Sequence, residues 1–148
     1  MSDLPRQAQT FVYGQFVLIV LVLIGTGSIP QFNLPGATVL AVGLLLGAWS
    51  LVVNRPDNFN LNPTPRTGAS LCFGGPYQFM LHPMYVAQII ALAGILLMNF
   101  SWISIAAWGG LVIVLERKSS LEERLLKERS GDYERYSMKT KRFVPFLF

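Results

Sequence analysis

The chain has 148 residues, of which 52% are hydrophobic and 14% are charged, with a formal net charge of +4. Soluble domains carry roughly 25% charged residues, so this composition indicates a membrane protein. The basic residues do not alternate with stacking aromatics, which argues against a nucleic-acid partner. One cysteine and one histidine exclude an intramolecular disulfide and a metal site built from these side chains. Glycine-rich nucleotide motifs and a Gly-x-Ser-x-Gly hydrolase motif are absent from the sequence.

Four uncharged runs follow one another along the chain. Residues 11–29 form the first, without the features of a cleaved signal peptide, and residues 37–53 form the second. The second contains Gly43 and Gly47, a spacing that favours the close approach of another helix but that is equally compatible with the general frequency of glycine in membrane helices. Residues 83–98 and 101–115 are shorter runs separated by Asn99 and Phe100. We therefore predict two transmembrane helices followed by a tight helical hairpin, which is either fully spanning or partly re-entrant.

The sequence thus predicts an all-α integral membrane helical bundle: one domain, 1–148, with about four transmembrane helices and a C-terminal helix that Gly131 ends. All twelve Lys and Arg residues lie in the N-terminal tail, the 54–81 loop and the segment after residue 116. The positive-inside rule then places both termini and the long loop in the cytoplasm. We expect a multi-pass protein of a bacterial inner membrane. The C-terminal segment alone is also compatible with a surface anchor on anionic lipid.

A turn-prone stretch, residues 74–86, precedes the third run and holds the only histidine, His82. Two tandem glycines and Pro76 permit a tight turn, and Pro83 suits the first turn of a helix. A histidine at this boundary is also compatible with a simple interfacial role. The functional interpretation is a loop that brings three side chains to the mouth of the third helix: Tyr77, His82 and Tyr85.

The two glutamates after the fourth run differ in their predicted environment. A helical wheel places Glu122 inside the apolar arc of the surrounding leucines and Glu123 outside it, four residues before Lys127. A carboxylate on an apolar face requires a cation or several donors. We therefore predict that Glu122 binds a ligand ammonium group, or alternatively an arginine, and that Glu123 forms a solvated pair with Lys127. The hairpin should bring both glutamates to the pocket that contains His82.

The ordered motifs resemble a known family. They are Gly75-Pro76-Tyr77, His82-Pro83-Met84-Tyr85, Glu122-Glu123-Arg124-Leu125-Leu126, then Tyr133, Tyr136 and Arg142-Phe143-Val144-Pro145. Together they resemble the superfamily of isoprenylcysteine carboxyl methyltransferases and phospholipid N-methyltransferases, integral membrane enzymes that use S-adenosylmethionine. The resemblance covers about residues 60–146, which it implies to be the cofactor-binding part. It implies catalytic roles for His82, Tyr85 and Glu122, and a cofactor pocket formed by Tyr77, His82, Pro83, Tyr85, Glu122, Glu123, Tyr136 and Arg142.

Three positions depart from the family pattern. Gln78 and Leu81 stand where the family has arginine, and Ala87 stands where glycine is common. If the family arginine binds the cofactor carboxylate or the acceptor, that role is either missing here or has moved to another residue such as Arg142 or Arg66. The departure leaves the acceptor less defined than the cofactor.

The resemblance implies transfer of a methyl group from S-adenosylmethionine to a lipophilic or lipid-anchored acceptor, with S-adenosylhomocysteine as product. Carboxyl O-methylation of the isoprenylcysteine type is the expected reaction. The alternatives are N-methylation of a phospholipid of the phosphatidylethanolamine type and methylation of a thiol or another hydrophobic molecule. A non-catalytic protein that binds lipid or a partner is the alternative of a different class, and reduction of a sterol-like double bond is a more remote one. The sequence leaves the oligomeric state undefined.

Overall fold

The computed structural model describes residues 4–27, 32–54, 72–129 and 131–143. These ranges form five α-helices and one short 3-10 helix, Gly75–Gln78. The α-helices are α1 (Leu4–Gly25), α2 (Leu34–Asn54), α3 (Pro83–Met98), α4 (Trp102–Arg129) and α5 (Gly131–Lys139). The all-α prediction is confirmed for the described residues. Arg55, Arg66 and most of the 54–81 loop lie outside them.

Two of the helices are long and apolar enough to cross a membrane, over Arg6–Gly25 and Leu34–Asn54. Both expose large apolar side chains over most of their length, for example Ile24 at 69% and Val52 at 76%. Such surfaces are compatible with lipid as the surrounding solvent. Helix α3 is apolar but has only 16 residues.

Local signals explain where the helices begin and end. Helix α2 starts three residues before the predicted run because the Asn33 side chain accepts a hydrogen bond of 2.8 Å from the backbone N–H of Gly36. Helix α3 has the predicted bounds, with Pro83 in its first turn. The apolar run of α4 continues into a charged segment without a break, so α4 reaches Arg129, and α5 begins at Gly131, where we predicted a stop.

Helix α2 packs on α3, α1 packs on α4, and the two pairs meet mainly through α3 and α4. The core between α1, α3 and α4 consists of Val22, Leu92, Ala107, Leu111 and Leu115. In the α2–α3 contact the backbones lie very close, since a Cβ atom added at Gly43 would lie 2.4 Å from the backbone N of Ala91. The predicted close approach at Gly43 is confirmed. A Cβ at Gly47 would make an ordinary contact of 3.5 Å, so that glycine is not required.

Replacing Gly43 with alanine is therefore expected to destabilise the protein by about 1–3 kcal/mol, because the backbones must separate to accept one methyl group. The measurement is the thermal midpoint of the purified protein in detergent. Gly109→Ala is the matched control, since a Cβ there meets nothing within 4 Å. Equal midpoints for the two variants would contradict the close packing of α2 on α3.

The C-terminal segment folds back onto the entrance of α3. The backbone N–H groups of Leu81 and His82 donate to the carbonyl oxygens of Lys141 and Arg142, over 2.8 and 3.2 Å. A parallel bridge between Met80 and Lys141 extends this pairing. The turn before it requires glycine at position 75, where φ is +55° and a Cβ would lie 2.8 Å from the Val53 side chain. This arrangement fixes the backbone on both sides of His82.

Candidate active site

His82 lies at the N-terminal end of α3 and faces both glutamates of α4. Its Nδ1 atom is 3.7 Å from Oε2 of Glu122, and its Nε2 atom is 3.2 Å from Oε1 of Glu123. The ring is buried and stacks on Tyr85, with 5.2 Å between ring centroids and 4° between planes. The structure therefore brings together the histidine and the acid that the sequence assigned to one pocket.

Glu122 is the more accessible of the two carboxylates. Its side chain is 29% exposed, and its Oε2 atom accepts a hydrogen bond of 2.9 Å from the Tyr85 hydroxyl. One oxygen of Glu122 thus has a fixed neutral donor, and part of the carboxylate still faces solvent. A carboxylate in this position is suited to hold a ligand cation.

The predicted environment of Glu123 is wrong. Its side chain is only 9% exposed and contacts His82 and Arg142, with 2.6 Å between Arg142 Nε and Glu123 Oε1. The solvated helix pair at this level is Arg124 with Glu128. The wheel failed because its reference was the nearby leucines, whereas the buried face of α4 continues from Leu115 through Ser119 to Glu123. The C-terminal segment then covers that face.

Arg142 ties the C-terminal segment to α4. Besides Glu123, its guanidinium contacts Oε1 of Glu116 at 3.4 Å and Oγ of Ser120 at 2.9 Å. The guanidinium therefore already has three partners on α4. In this structure Arg142 orients Glu123, and Glu123 in turn orients the imidazole of His82.

The electrostatics of Glu123 follow from these contacts. Burial raises the pKa of this carboxyl, but hydrogen bonds from His82 and Arg142 outweigh burial and hold the pKa below its usual range. Glu123 is therefore ionised at neutral pH and can only accept hydrogen bonds. Its contact with Nε2 of His82 then requires a proton on Nε2, which leaves Nδ1 as the acceptor nitrogen of the neutral ring.

Tyrosines form the wall of the site on the side of α5. The Tyr136 hydroxyl donates to the backbone carbonyl of Tyr77, and the Tyr136 ring makes edge contacts with Phe73 and Tyr133. Burial raises the pKa of Tyr77, Tyr133 and Tyr136. All three phenols are therefore neutral donors at physiological pH.

Two further residues complete this arrangement: Pro83, which was predicted, and Phe143, which was not. Pro83 is fully buried and begins α3 directly after His82. Phe143 lies on another side of His82, with 6.1 Å between ring centroids. The described residues of the predicted site therefore converge on one end of α3 and α4.

Sequence reasoning missed a polar group just inside this end of the bundle. Lys118 is 2% exposed, and its Nζ donates to Oε1 of Gln15 over 2.7 Å. Gln15 Nε2 donates in turn to Oε1 of Gln88 over 3.0 Å. The available signal was polarity: Gln15 and Gln88 interrupt otherwise apolar runs, and such residues in membrane helices usually have a function.

The described geometry is that of a membrane helical protein with a part-exposed carboxylate, an oriented imidazole and aromatic walls. A comparison with known protein families matches residues 32–132 to phospholipid methyltransferase. This match covers more than half of the chain, and the chain therefore belongs to the phospholipid methyltransferase family, in the superfamily that the motifs resembled. A search among curated proteins found no match.

Membership settles the class of activity. Proteins of this family are S-adenosylmethionine-dependent methyltransferases, so the chain is a membrane methyltransferase and the non-catalytic alternative is set aside. The residues present fit the cofactor. Its ammonium group has a counterpart in the part-exposed Glu122, and the aromatic ring of Phe143 beside His82 suits a sulfonium.

Proposed function

We propose that this chain methylates the amine of a membrane phospholipid, with His82 as the base that accepts the amine proton. The observation that carries the proposal is the orientation of His82 between two carboxylates. An ammonium acceptor must lose a proton before its nitrogen can attack the methyl group. Imidazole is the side chain that exchanges protons most readily near neutral pH.

The hydrogen-bond chain supports this role. Arg142 holds Glu123, and Glu123 accepts the Nε2 proton of His82, so the Nδ1 lone pair faces the side of the site where Glu122 lies. A carboxylate that fixes the tautomer and stabilises the protonated ring is a recurrent arrangement behind a histidine base. His82 can thus take a proton at Nδ1 without rearranging.

S-adenosylmethionine supplies an activated methyl group, so the protein has to align the two reactants and exclude water. We assign the cofactor ammonium to Glu122, and the aromatic contact of the sulfonium to Phe143. Tyr77 and Tyr136 would close the pocket on the side of α5 through the bond between them. The lipid acceptor would enter from the bilayer.

The charge of the site favours a cationic acceptor. Glu116 and Glu123 contact the guanidinium of Arg142, and a third carboxylate, Glu122, lies on the other side of His82. These three carboxylates outnumber the two nearby cations, Arg142 and Lys118, so a carboxylate acceptor would meet repulsion. Isoprenylcysteine-type carboxyl O-methylation is the second candidate. It is favoured by the exposed rings of Phe73 and Phe79 beside the turn, an apolar surface that suits an isoprenyl chain.

We further propose that α3 and the apolar part of α4 also cross the membrane, which gives four passes with both termini and the site in the cytoplasm. The hairpin is tight, since only residues 99–101 connect α3 to α4. The Lys and Arg residues of α4 and α5 lie at the end of the bundle that carries His82, as the positive-inside rule requires for a cytoplasmic site.

Incubation of the purified protein with methyl-labelled S-adenosylmethionine and membrane lipid, followed by thin-layer separation, tests the acceptor. We expect label in the methylated derivatives of an aminophospholipid. Label that appears only in an added isoprenylcysteine compound, with the lipids unlabelled, would contradict the amine proposal in favour of the second candidate.

His82→Ala separates the two reactions. It should lower the turnover number for an amine acceptor by at least about 100-fold, because the proton has no other imidazole to accept it. The effect on a carboxylate acceptor should stay below about tenfold, since that reaction needs no base. The comparison uses initial rates on both acceptors at saturating cofactor. Equal losses on the two acceptors would contradict the assigned role.

A further inference from the structure

Lys118 is a buried cation that the mechanism above does not use. Its ammonium group donates to the Gln15 side chain, and no carboxylate of the described residues lies within ion-pair distance of it. Burial lowers the pKa of Lys118, and the charge of Glu122 opposes this only in part. An apolar side chain would fill the same space at lower cost. The position therefore calls for an explanation beyond packing.

The contacts of Lys118 lead directly to the donor site. Its Nζ lies 5.2 Å from the centre of the Tyr85 ring, a distance at which a cation is attracted to an aromatic face. The same ring stacks on His82, and its hydroxyl donates to Glu122. Tyr85 is thus the link between the buried ammonium group and the two side chains to which we assign the chemistry.

We propose that Lys118 is a positioning residue for the methyl-donor site: it holds the Tyr85 ring so that the hydroxyl donates to Glu122 and the ring stacks on His82. This inference rests on the proposed function, because it requires Glu122 to bind the cofactor. Lys118 acts through Tyr85 and touches neither reactant.

Helix α1 takes part in the site through this contact. Gln15 lies outside the residues 32–132 that match the family, yet its amide carbonyl holds the Lys118 ammonium group in place. The amide nitrogen of Gln15, Nε2, donates to Oε1 of Gln88 on α3, and this hydrogen bond fixes the orientation of the Gln15 amide. The α1–α4 packing therefore sets the position of Lys118 as well as contributing to the core.

Lys118→Met is the principal test, since methionine keeps the length and apolar stem of lysine. We expect S-adenosylmethionine to bind about tenfold more weakly to this variant, with turnover at saturating cofactor changed by less than about threefold. The thermal midpoint should not fall, because a buried charge is removed. Lys118→Arg should restore the affinity to within about threefold. Lys127→Met, an exposed position on the same helix, is the matched control.

Gln15→Leu provides a second variant that leaves Lys118 in the chain. It removes the partner of the ammonium group and should weaken cofactor binding in the same direction by about three- to fivefold. Unchanged affinity in both Lys118→Met and Gln15→Leu would overturn the proposal.

A double-mutant cycle distinguishes action through Tyr85 from a general structural effect. In the Tyr85→Phe background the hydroxyl is gone, so adding Lys118→Met should weaken binding by less than about twofold more. Losses that multiply would overturn the inference. Glu122→Gln separates the role of Lys118 from the proposed function. If Glu122→Gln binds the cofactor with wild-type affinity, the assigned donor site is wrong. If Glu122→Gln binds weakly but Lys118→Met binds normally, only the role of Lys118 is overturned.

Discussion

Replacing Glu122 with glutamine is expected to weaken S-adenosylmethionine binding by roughly 30-fold, or about 2 kcal/mol, the usual value for a hydrogen bond to a charged group. The variant keeps the size of the side chain and can still accept from the Tyr85 hydroxyl, so the loss reports the missing negative charge. Isothermal titration of the purified protein in detergent measures it.

Glu128→Gln is the control for this experiment. Glu128 lies on the same helix, is 58% exposed and pairs with the exposed Arg124, so its loss should leave the affinity unchanged. Equal affinities for wild type and Glu122→Gln would show that the cofactor ammonium group binds elsewhere.

Replacing Arg142 with methionine is expected to have the largest effect on stability. The change leaves Glu116 and Glu123 close together without the guanidinium between them, and Glu123 is largely buried. Breaking a buried pair on one side costs 3–5 kcal/mol, and the 27% exposure of Arg142 places the expected loss near the low end, at about 3 kcal/mol. Thermal unfolding in detergent tests this, and Arg124→Met is the exposed control.

The same cluster should make the protein sensitive to acid. Because the folded-state pKa of Glu123 is depressed, its stabilising contribution is complete above the unfolded value near 4.5 and is lost as the pH falls toward the folded value. Wild type should therefore lose stability steeply below about pH 4.5, and Glu123→Gln should lose less over that interval. An identical pH profile for the two proteins would contradict the assigned environment of Glu123.

The hairpin could be predicted from sequence because its signals are local. Pro83 fixes the start of α3, and the polar Asn99 interrupts two uncharged runs, so α3 has the predicted bounds. Gly43 was identified for the same reason, since small residues in an apolar helix mark close approach.

The environment of Glu123 could not be predicted in this way. Its burial depends on Arg142, which is 19 residues away in sequence and reaches α4 only because the C-terminal segment pairs with residues 80–82. No local pattern specifies that pairing. The helical wheel therefore ranked the two glutamates by their neighbours in the helix, whereas the tertiary contact reverses their exposure.

The buried polar group around Lys118 could not be predicted from sequence for a different reason. The polar residue Gln15 stood out in an apolar run, but its partner lies 103 residues further along the chain. Polarity inside a membrane helix indicates that some contact exists, and only the packing of α1 on α4 identifies it.

An experimental structure of the protein with S-adenosylhomocysteine bound tests the central claim most directly. We predict the amino group of the ligand within about 3 Å of the Glu122 carboxylate, a typical charge-assisted hydrogen bond, and its sulfur beside the ring of Phe143. A ligand that is bound away from His82 and Glu122, or whose amino group pairs with a different residue, would contradict it.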